Sequence, residues 1–319
     1  MRHGTASVVV AVLCVVAAPS VGAQPLVETT DATALPEPGR TEVGGTRWGR
    51  YLAVAGGLVE EDGAAVGSSE LFLYDLRTEE WSRGPDLPGI RDHAPLVVLG
   101  KSLYLVGGYT ATLSRPTEEV WKLADKDGEW ERVADLNTPR GALAVAVARG
   151  HIFAIGGVDG SGVLRSTEIY DPKSDEWTPG PDLATPREHP GAAAVGKRVY
   201  AIAGRNPRNL TSVEVLIVTK RGAKGEWNPA PELQFSRGGN GASTAGGLPC
   251  TAGGEESAGT IPSIECLIGD EWVHVADLRV PRHGLAVIGE GRRLHVISGG
   301  PQPGAFYSTA HEVVRVPRD

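Results

Sequence analysis

Short apolar runs that end in a pair of small residues recur along the chain. The pairs begin at positions 56, 107, 156, 203, 253 and 298, so successive pairs lie 51, 49, 47, 50 and 45 residues apart. Elsewhere the apolar positions alternate or form short blocks, and no window shows the 3.6-residue spacing of an amphipathic helix. This pattern predicts an all-β chain of short strands, organised as six repeats of about 50 residues.

Three further sequence features share this period. An arginine lies 16 residues before the first residue of every pair: Arg40, Arg91, Arg140, Arg187, Arg237 and Arg282. A segment of the form Ser/Thr-x-Glu-apolar-aromatic follows several pairs, as in Ser166 to Tyr170, and a tryptophan such as Trp81 begins the next strand. Glycines at strand ends permit positive φ and close backbone approach, whereas Trp and Tyr suit packing between neighbouring sheets. Each repeat is therefore predicted to form one four-stranded sheet.

The order of arginine, glycine pair, Tyr-Asp and tryptophan resembles the kelch repeat, over about residues 26–316. The resemblance implies a six-bladed kelch β-propeller, with four antiparallel strands per blade around a central channel. The expected blades cover about 41–87, 92–136, 141–183, 188–233, 238–278 and 283–316. The sixth repeat lacks a fourth strand, so we predict that an N-terminal strand at about 26–35 completes the last blade and closes the ring.

The first residues of the chain predict export. A basic start precedes an apolar run over about 6–18, and Val21 and Ala23 place small residues at the −3 and −1 positions of a cleavage site. We expect a signal peptide over 1–23, cleavage after Ala23, one propeller domain over 24–319, and a secreted or periplasmic location. A membrane anchor is the alternative, but the run is shorter than the roughly 20 residues that span a bilayer, so the mature chain should have no membrane span.

Export would leave Cys250 and Cys266 as the cysteines of the mature chain, in an oxidising compartment. Both fall in the fifth repeat, on its predicted second and third strands, which are antiparallel neighbours. A cross-strand disulfide is one interpretation. Two separate half-buried thiols are the other, because a disulfide requires Cβ atoms about 3.5–4.5 Å apart and the register is not known from the sequence.

Composition and charge narrow the possible functions. The chain has 43 Gly and 23 Pro in 319 residues, which favours a fold with many turns. Its 31 Lys and Arg against 39 Asp and Glu give a net charge of −8, whereas a nucleic-acid-binding protein would present a basic face. No Cys-x-x-Cys or His-x-x-x-His spacing occurs, so we predict no metal site and no cofactor.

The kelch resemblance implies a ligand face built from two sets of loops, those that carry the repeated arginine and those that follow the glycine pair. The candidate ligand-binding residues in these loops are Arg91, His93, Arg140, Arg187, Glu188, His189, Arg205, Asn206, Arg237, Asn240, Arg282 and His283. Several guanidinium groups near one channel mouth would hold a carboxylate or a phosphate. The other interpretation is that each arginine bonds to carbonyls in the turn between blades, since every repeat has one. His93 and His189 are likewise either turn residues or bases.

The sequence favours a non-catalytic role, in which a monomer binds a protein, peptide or glycan on the loop face around the channel. The alternative is a sugar-modifying enzyme, because exported bacterial sialic-acid mutarotases are also six-bladed kelch proteins. Such a reaction needs an acid and a base within reach of a bound sugar. Glu188 and His189, with Arg187 and Arg205 nearby, would serve, although no motif singles out a catalytic residue.

Overall fold

The structure of the chain is a computed structural model that describes Met1 and residues 26–219, 222–223 and 225–318. The predicted cleavage site and the apolar run before it lie outside these residues. All regular structure in the described part of the chain is β-strand, and the strands form six blades around a channel. The prediction of an all-β, six-bladed propeller is confirmed. Among the described residues there is no helix of the length and apolarity needed to cross a membrane.

The first three blades each contain four antiparallel strands. Blade 1 consists of Gly44–Trp48, Tyr51–Ala55, Leu71–Asp75 and Glu80–Arg83. Blade 2 consists of Leu96–Leu99, Ser102–Val106, Val120–Leu123 and Trp130–Arg132. Blade 3 consists of Ala144–Ala148, His151–Ile155, Thr167–Asp171 and Glu176–Pro179. In each blade the first strand lines the channel, and the strands follow one another outward in chain order.

Blades 4 and 5 keep this order with local departures. Blade 4 consists of Gly191–Val195, Arg198–Ile202, Val213–Thr219 and Asn228–Ala230, and the short strand Gly222–Ala223 also pairs with its third strand. Blade 5 consists of Gly241–Ala245, Leu248–Ala252, Ser263–Ile268 and Glu271–Asp277. The pairing of its last two strands shifts register between Ile264 and Glu265.

Blade 6 combines the two ends of the described chain. It consists of Ala286–Glu290, Arg293–Ile297, His311–Arg315 and, outermost, the N-terminal strand Thr30–Asp31. Thr30 lies opposite Val313, and the Leu35 amide donates a hydrogen bond to the Thr309 carbonyl at 2.9 Å. The prediction that an N-terminal strand closes the last blade is therefore confirmed.

Tryptophans at the start of the fourth strands join neighbouring blades. Each indole Nε1 donates to a carbonyl of the preceding blade: Trp81 to Thr33, Trp130 to Pro85, Trp177 to Ala134, Trp227 to Pro181 and Trp272 to Pro231. Blade 6 has Thr29 at the matching position, and its Oγ1 donates to the Asp277 carbonyl of blade 5 at 3.1 Å. A hydroxyl thus replaces the indole at this junction, which explains why the tryptophan pattern is interrupted there.

Apolar residues of facing blades form the core. Between blades 2 and 3, for example, Val106 and Leu143 pack with Ile152 and Trp177, all of them buried. Between blades 5 and 6 the core includes Cys250 and Cys266, which lie directly opposite each other on adjacent strands and are joined as a disulfide. Of the two interpretations of these cysteines, the structure shows the bonded pair.

Candidate functional site at the channel mouth

The repeated arginines are buried: five are 0% exposed and Arg91 is 4% exposed. Arg140 shows how they are held. Its guanidinium donates to the carbonyls of Gly156 and Ser166 at 2.8 and 2.9 Å, and to the Glu168 carboxylate at 3.1 Å. The carbonyl acceptor 16 residues ahead recurs for the arginines of blades 1, 4, 5 and 6. In five of the six blades the offset of 16 residues therefore reflects an internal hydrogen bond.

Of the two interpretations of the repeated arginines, their burial supports the structural one. Arg91, Arg140, Arg187, Arg237 and Arg282 each pair with a glutamate that lies in the third strand of their own blade or, for Arg91, directly before it. In blades 2 to 5 that glutamate belongs to the repeated Ser/Thr-x-Glu segment. Because the guanidinium and its partner are enclosed within the blade, the arginines stabilise the turn between blades, and a ligand on the loop face would not reach them.

A second repeated position, two residues after each arginine, forms a ring at the channel mouth. It holds Glu42, His93, Ala142, His189, Gly239 and Gly284. All six have left-handed backbone, with φ between 50° for Ala142 and 67° for Gly239. Backbone amides at these positions donate to the backbone carbonyl at the equivalent position of the preceding blade. The His93 amide donates to the Glu42 carbonyl at 3.1 Å, and the His189 amide donates to the Ala142 carbonyl at 2.8 Å. We refer to these six residues as the mouth ring.

Three members of the mouth ring bring polar side chains together. One ligand-type atom from each of Glu42, His93 and His189 lies within 4.8 Å of the other two. The Nε2 atom of His93 is 3.2 Å from the Glu42 carboxylate, and the two imidazole rings meet edge to face with centroids 4.8 Å apart. The Nδ1 atoms of the two histidines are engaged by neighbouring carboxylates. His93 Nδ1 lies 2.6 Å from Asp92 Oδ1, and His189 Nδ1 contacts the Glu188 carboxylate.

The surrounding charges shift the proton affinities of this cluster. Burial alone would raise the pKa of the Glu42 carboxyl, but His93, His283 and His189 surround it and hold its pKa well below the usual range. Burial alone would lower the pKa of His93, yet the Glu42 and Asp92 carboxylates raise it above the ordinary value. Burial also opposes ionisation of Glu188, but His189 and Arg205 lower its pKa to about 2.

Further candidate residues extend the cluster towards blades 4, 5 and 6. The Arg205 guanidinium donates to Glu188 at 2.8 Å and to Glu255 at 2.7 Å. His283 Nδ1 lies 3.1 Å from the Glu42 carboxylate, and its Nε2 lies 3.0 Å from the Gln302 carbonyl. The structure thus unites His93, Glu188, His189, Arg205 and His283, all of which were predicted site residues.

Two predicted residues stand apart from this cluster. Asn206 precedes the cis peptide bond to Pro207 in an outer loop, and its amide donates to the Arg208 carbonyl. Asn240 follows the mouth ring inside the channel, where its side-chain amide donates to Thr251 Oγ1 at 2.9 Å. Sequence reasoning missed Glu42. The signal was available, because Glu42 has the same offset from Arg40 as His93 and His189 have from their own arginines.

Two of the cavities on this face adjoin the cluster. The channel mouth inside the ring encloses about 140 Å³, lined by Glu42, His93, His189 and the first strands of the blades. A larger groove of about 710 Å³ lies beside it, over the loops of blades 4, 5 and 6. Its lining includes Arg205, Arg208, Glu255 and Glu256, so it shares Arg205 and Glu255 with the cluster. We call this larger cavity the loop groove.

The ring of blades, the repeated arginine and the glycine pairs define a propeller built from kelch-type repeats. Comparison with known proteins agrees: the KLHDC2/KLHL20/DRC7 Kelch-repeats domain matches residues 44–230. The chain belongs to the kelch-repeat family. Kelch propellers generally bind protein partners.

Individual relatives share the repeat at modest identity. The Kelch-like protein terF of Aspergillus terreus is 26% identical over 293 residues, which cover 84% of this chain and 63% of that protein. The Kelch repeat protein M-T8 of Myxoma virus is 28% identical over 219 residues, covering 64% of this chain and 41% of that protein. The chain thus spans less than two thirds of the length of these relatives.

Among solved structures, that of YjhT superposes with a TM-score of 0.75 at 15% sequence identity, over 89% of this chain and 97% of that one. This similarity shows the fold.

Proposed function

We propose that this protein is an exported binding module that recognises a segment of a protein partner in the loop groove. The observation that carries the proposal is the size and openness of this groove. Its volume of about 710 Å³ lies in the range of roughly 300–1,000 Å³ that ligand sites occupy, whereas the channel mouth, at about 140 Å³, is smaller than that range.

The surface around the loop groove suits a peptide of mixed charge. Arg208 and Glu256 are exposed at the groove, so it offers both a cation and an anion. Two exposed phenylalanines are close in the chain to residues that line the groove: Phe306 is 42% exposed two residues after Gly304, and Phe235 is 44% exposed next to Ser236. Aromatic and arginine side chains are enriched at protein interfaces, which favours a protein or peptide over a glycan at this site.

Selection of a displayed random-peptide library against the purified protein tests this proposal. We expect enriched peptides whose affinity falls at least tenfold in Arg208→Glu and in Phe306→Ser. Arg77→Glu is the matched control, because Arg77 is exposed in the turn between the third and fourth strands of blade 1, away from the loop groove. Peptides that bind all these variants equally would place the binding site elsewhere, and selective stabilisation by glycans would indicate a carbohydrate ligand.

Export is the second part of the proposal, and the N-terminal pattern supports it. Expression of the full chain in a bacterium, followed by N-terminal sequencing of the periplasmic fraction, should give a mature protein that starts at Gln24. Sedimentation of that protein would test the proposed monomer. An uncleaved chain retained in the membrane fraction would support the anchor instead.

The sugar-modifying alternative has one specific observation in its favour. His189 is paired with Glu188, and Arg205 stands beside them, which is a plausible arrangement for a general base and an anion-binding group. NMR spectra of sialic acid, recorded while its anomers equilibrate, would show acceleration by the protein if this alternative holds. Loss of that acceleration in Glu188→Gln would assign the base, and an unchanged rate with the wild-type protein would exclude the reaction.

A further inference from the structure

We propose that Glu42, His93 and His189 bind a divalent transition-metal ion at the channel mouth, with Zn²⁺ as the reference ion. The proposal concerns the mouth ring and does not depend on what occupies the loop groove. Imidazole and carboxylate groups are ligands of zinc, and two histidines with one glutamate form one of the ligand sets of catalytic zinc sites.

The distances between the three side chains are close to what a metal ion requires. Ligands at about 2.0–2.1 Å in a tetrahedral arrangement are roughly 3.3 Å from each other. His93 Nε2 and the Glu42 carboxylate already lie 3.2 Å apart, and the three ligand atoms are all within 4.8 Å. The widest separation in the set therefore has to shorten by no more than about 1.5 Å for the three atoms to surround one ion.

Two carboxylates behind the histidines leave the Nε2 atom of each imidazole available to a metal ion. Asp92 and Glu188 engage the Nδ1 atoms of His93 and His189, so that in the neutral imidazoles these nitrogens carry the protons and the Nε2 atoms keep the lone pairs that bind a metal ion. Carboxylates that hold the second imidazole nitrogen are a regular feature of metal-binding histidines, because they fix the ring and increase its basicity. Here the same arrangement occurs twice, in blades 2 and 4.

The electrostatic balance of the mouth also favours a cation. Four carboxylates face the cluster, those of Glu42, Asp92, Glu188 and Glu255, and the guanidinium of Arg205 is the opposing permanent charge. The side chains of Glu42, His93 and His189 are only 11%, 5% and 14% exposed. An ion held by three protein ligands in this partly desolvated place would keep a fourth position open to the channel mouth.

Short motifs cannot reveal this set, since the three residues lie in blades 1, 2 and 4 and are 51 and 96 positions apart. The expectation of no metal site was based on local spacings alone. The common offset from the repeated arginine, two residues in each case, is the sequence feature that unites them.

The test uses the protein purified without a histidine tag, stripped with EDTA and then dialysed against Zn²⁺. We expect one equivalent of zinc per chain by mass spectrometry. Co²⁺ should bind in the same place and give the visible bands of a four-coordinate site. His93→Ala and His189→Ala should each weaken binding at least tenfold. Both variants should fold, because Ala142 occupies the same left-handed position in blade 3.

Two more variants separate direct ligation from a structural effect. Asp92→Asn removes no ligand but should still weaken zinc binding about 10- to 100-fold, the usual effect of losing the partner of a metal-bound histidine. His151→Ala is the control, since His151 begins the second strand of blade 3, outside the mouth ring. Failure of the wild-type protein to retain zinc, absence of the cobalt bands, or unchanged binding in both His93→Ala and His189→Ala would overturn the proposal.

Discussion

Replacing Arg237 with methionine should destabilise the propeller severely. The Arg237 and Glu265 side chains are both 0% exposed. Arg237 also donates to the Gly253 and Ser263 carbonyls, each at 2.9 Å. In Arg237→Met, the Glu265 carboxylate would stay buried without its guanidinium partner, and the backbone amide of Gln234 would be the hydrogen-bond donor that remains to it. Breaking a buried ion pair in this way costs about 3–5 kcal/mol, because the remaining charge is left without compensation.

Equilibrium unfolding in urea, followed by tryptophan fluorescence, measures this loss. The double variant Arg237→Met/Glu265→Gln should recover part of the free energy of unfolding, because it leaves no buried charge. Arg132→Met is the matched control: it breaks the Arg132–Asp135 pair, whose side chains are 44% and 37% exposed. Exposed pairs contribute about 0–1 kcal/mol. A cost below about 1 kcal/mol for Arg237→Met, or a double variant less stable than the single one, would refute a structural role for the repeated arginine.

Three further predictions concern the closing strand of the propeller, its stability at acid pH and its disulfide. Leu35→Ala should cost about 2–5 kcal/mol in urea unfolding, because Leu35 is 2% exposed in the core beside the closing strand, whereas Leu26→Ala, at an exposed position, should cost little. Burial and its neighbour His311 lower the pKa of His295 to about 3, and burial lowers that of His311 to about 4. The unfolded chain then binds more protons below about pH 6.5, so stability should fall from there towards pH 4, by up to about 1.4 kcal/mol per pH unit for each histidine. The variant His295→Gln should flatten this pH profile, whereas a profile identical to wild type would contradict the assignment. Cys250→Ala/Cys266→Ala should lower stability by about 3 kcal/mol, as expected for a loop of 16 residues, and an unchanged urea midpoint would argue against a stabilising disulfide.

The fold could be predicted from the sequence because the same structural residues recur in each repeat. The glycine pair, the tryptophan and the arginine have local structural causes, so six copies in one register identify six blades. Closure by the N-terminal strand was also predictable, even though Thr29 replaces the tryptophan and donates its own hydrogen bond to Asp277.

The candidate site was only partly predictable, for two physical reasons. The sequence suggests that Arg140 and its equivalents bind anions, but each guanidinium is buried in its blade and paired with a carboxylate, so a ligand on the loop face does not reach it. Conversely, Glu42 meets His93 and His189 only because the ring brings distant repeats together. Contacts between repeats depend on the number of blades and their rotation, which no single repeat encodes.

The mouth ring has a consequence for how such a protein changes over time. Its backbone is held by hydrogen bonds between blades, which do not involve the side chains, and here glutamate, histidine, alanine and glycine all occur. Left-handed backbone disfavours β-branched and bulky residues at these positions, but it does not determine whether the side chain is acidic, basic or apolar. Not every position accepts every residue, because a Cβ at Gly284 would lie 2.5 Å from Glu42 Oε1. Exchanging the side chains of Glu42, His93 or His189 would therefore change the chemistry of the channel mouth and leave the hydrogen bonds of the buried arginines in place.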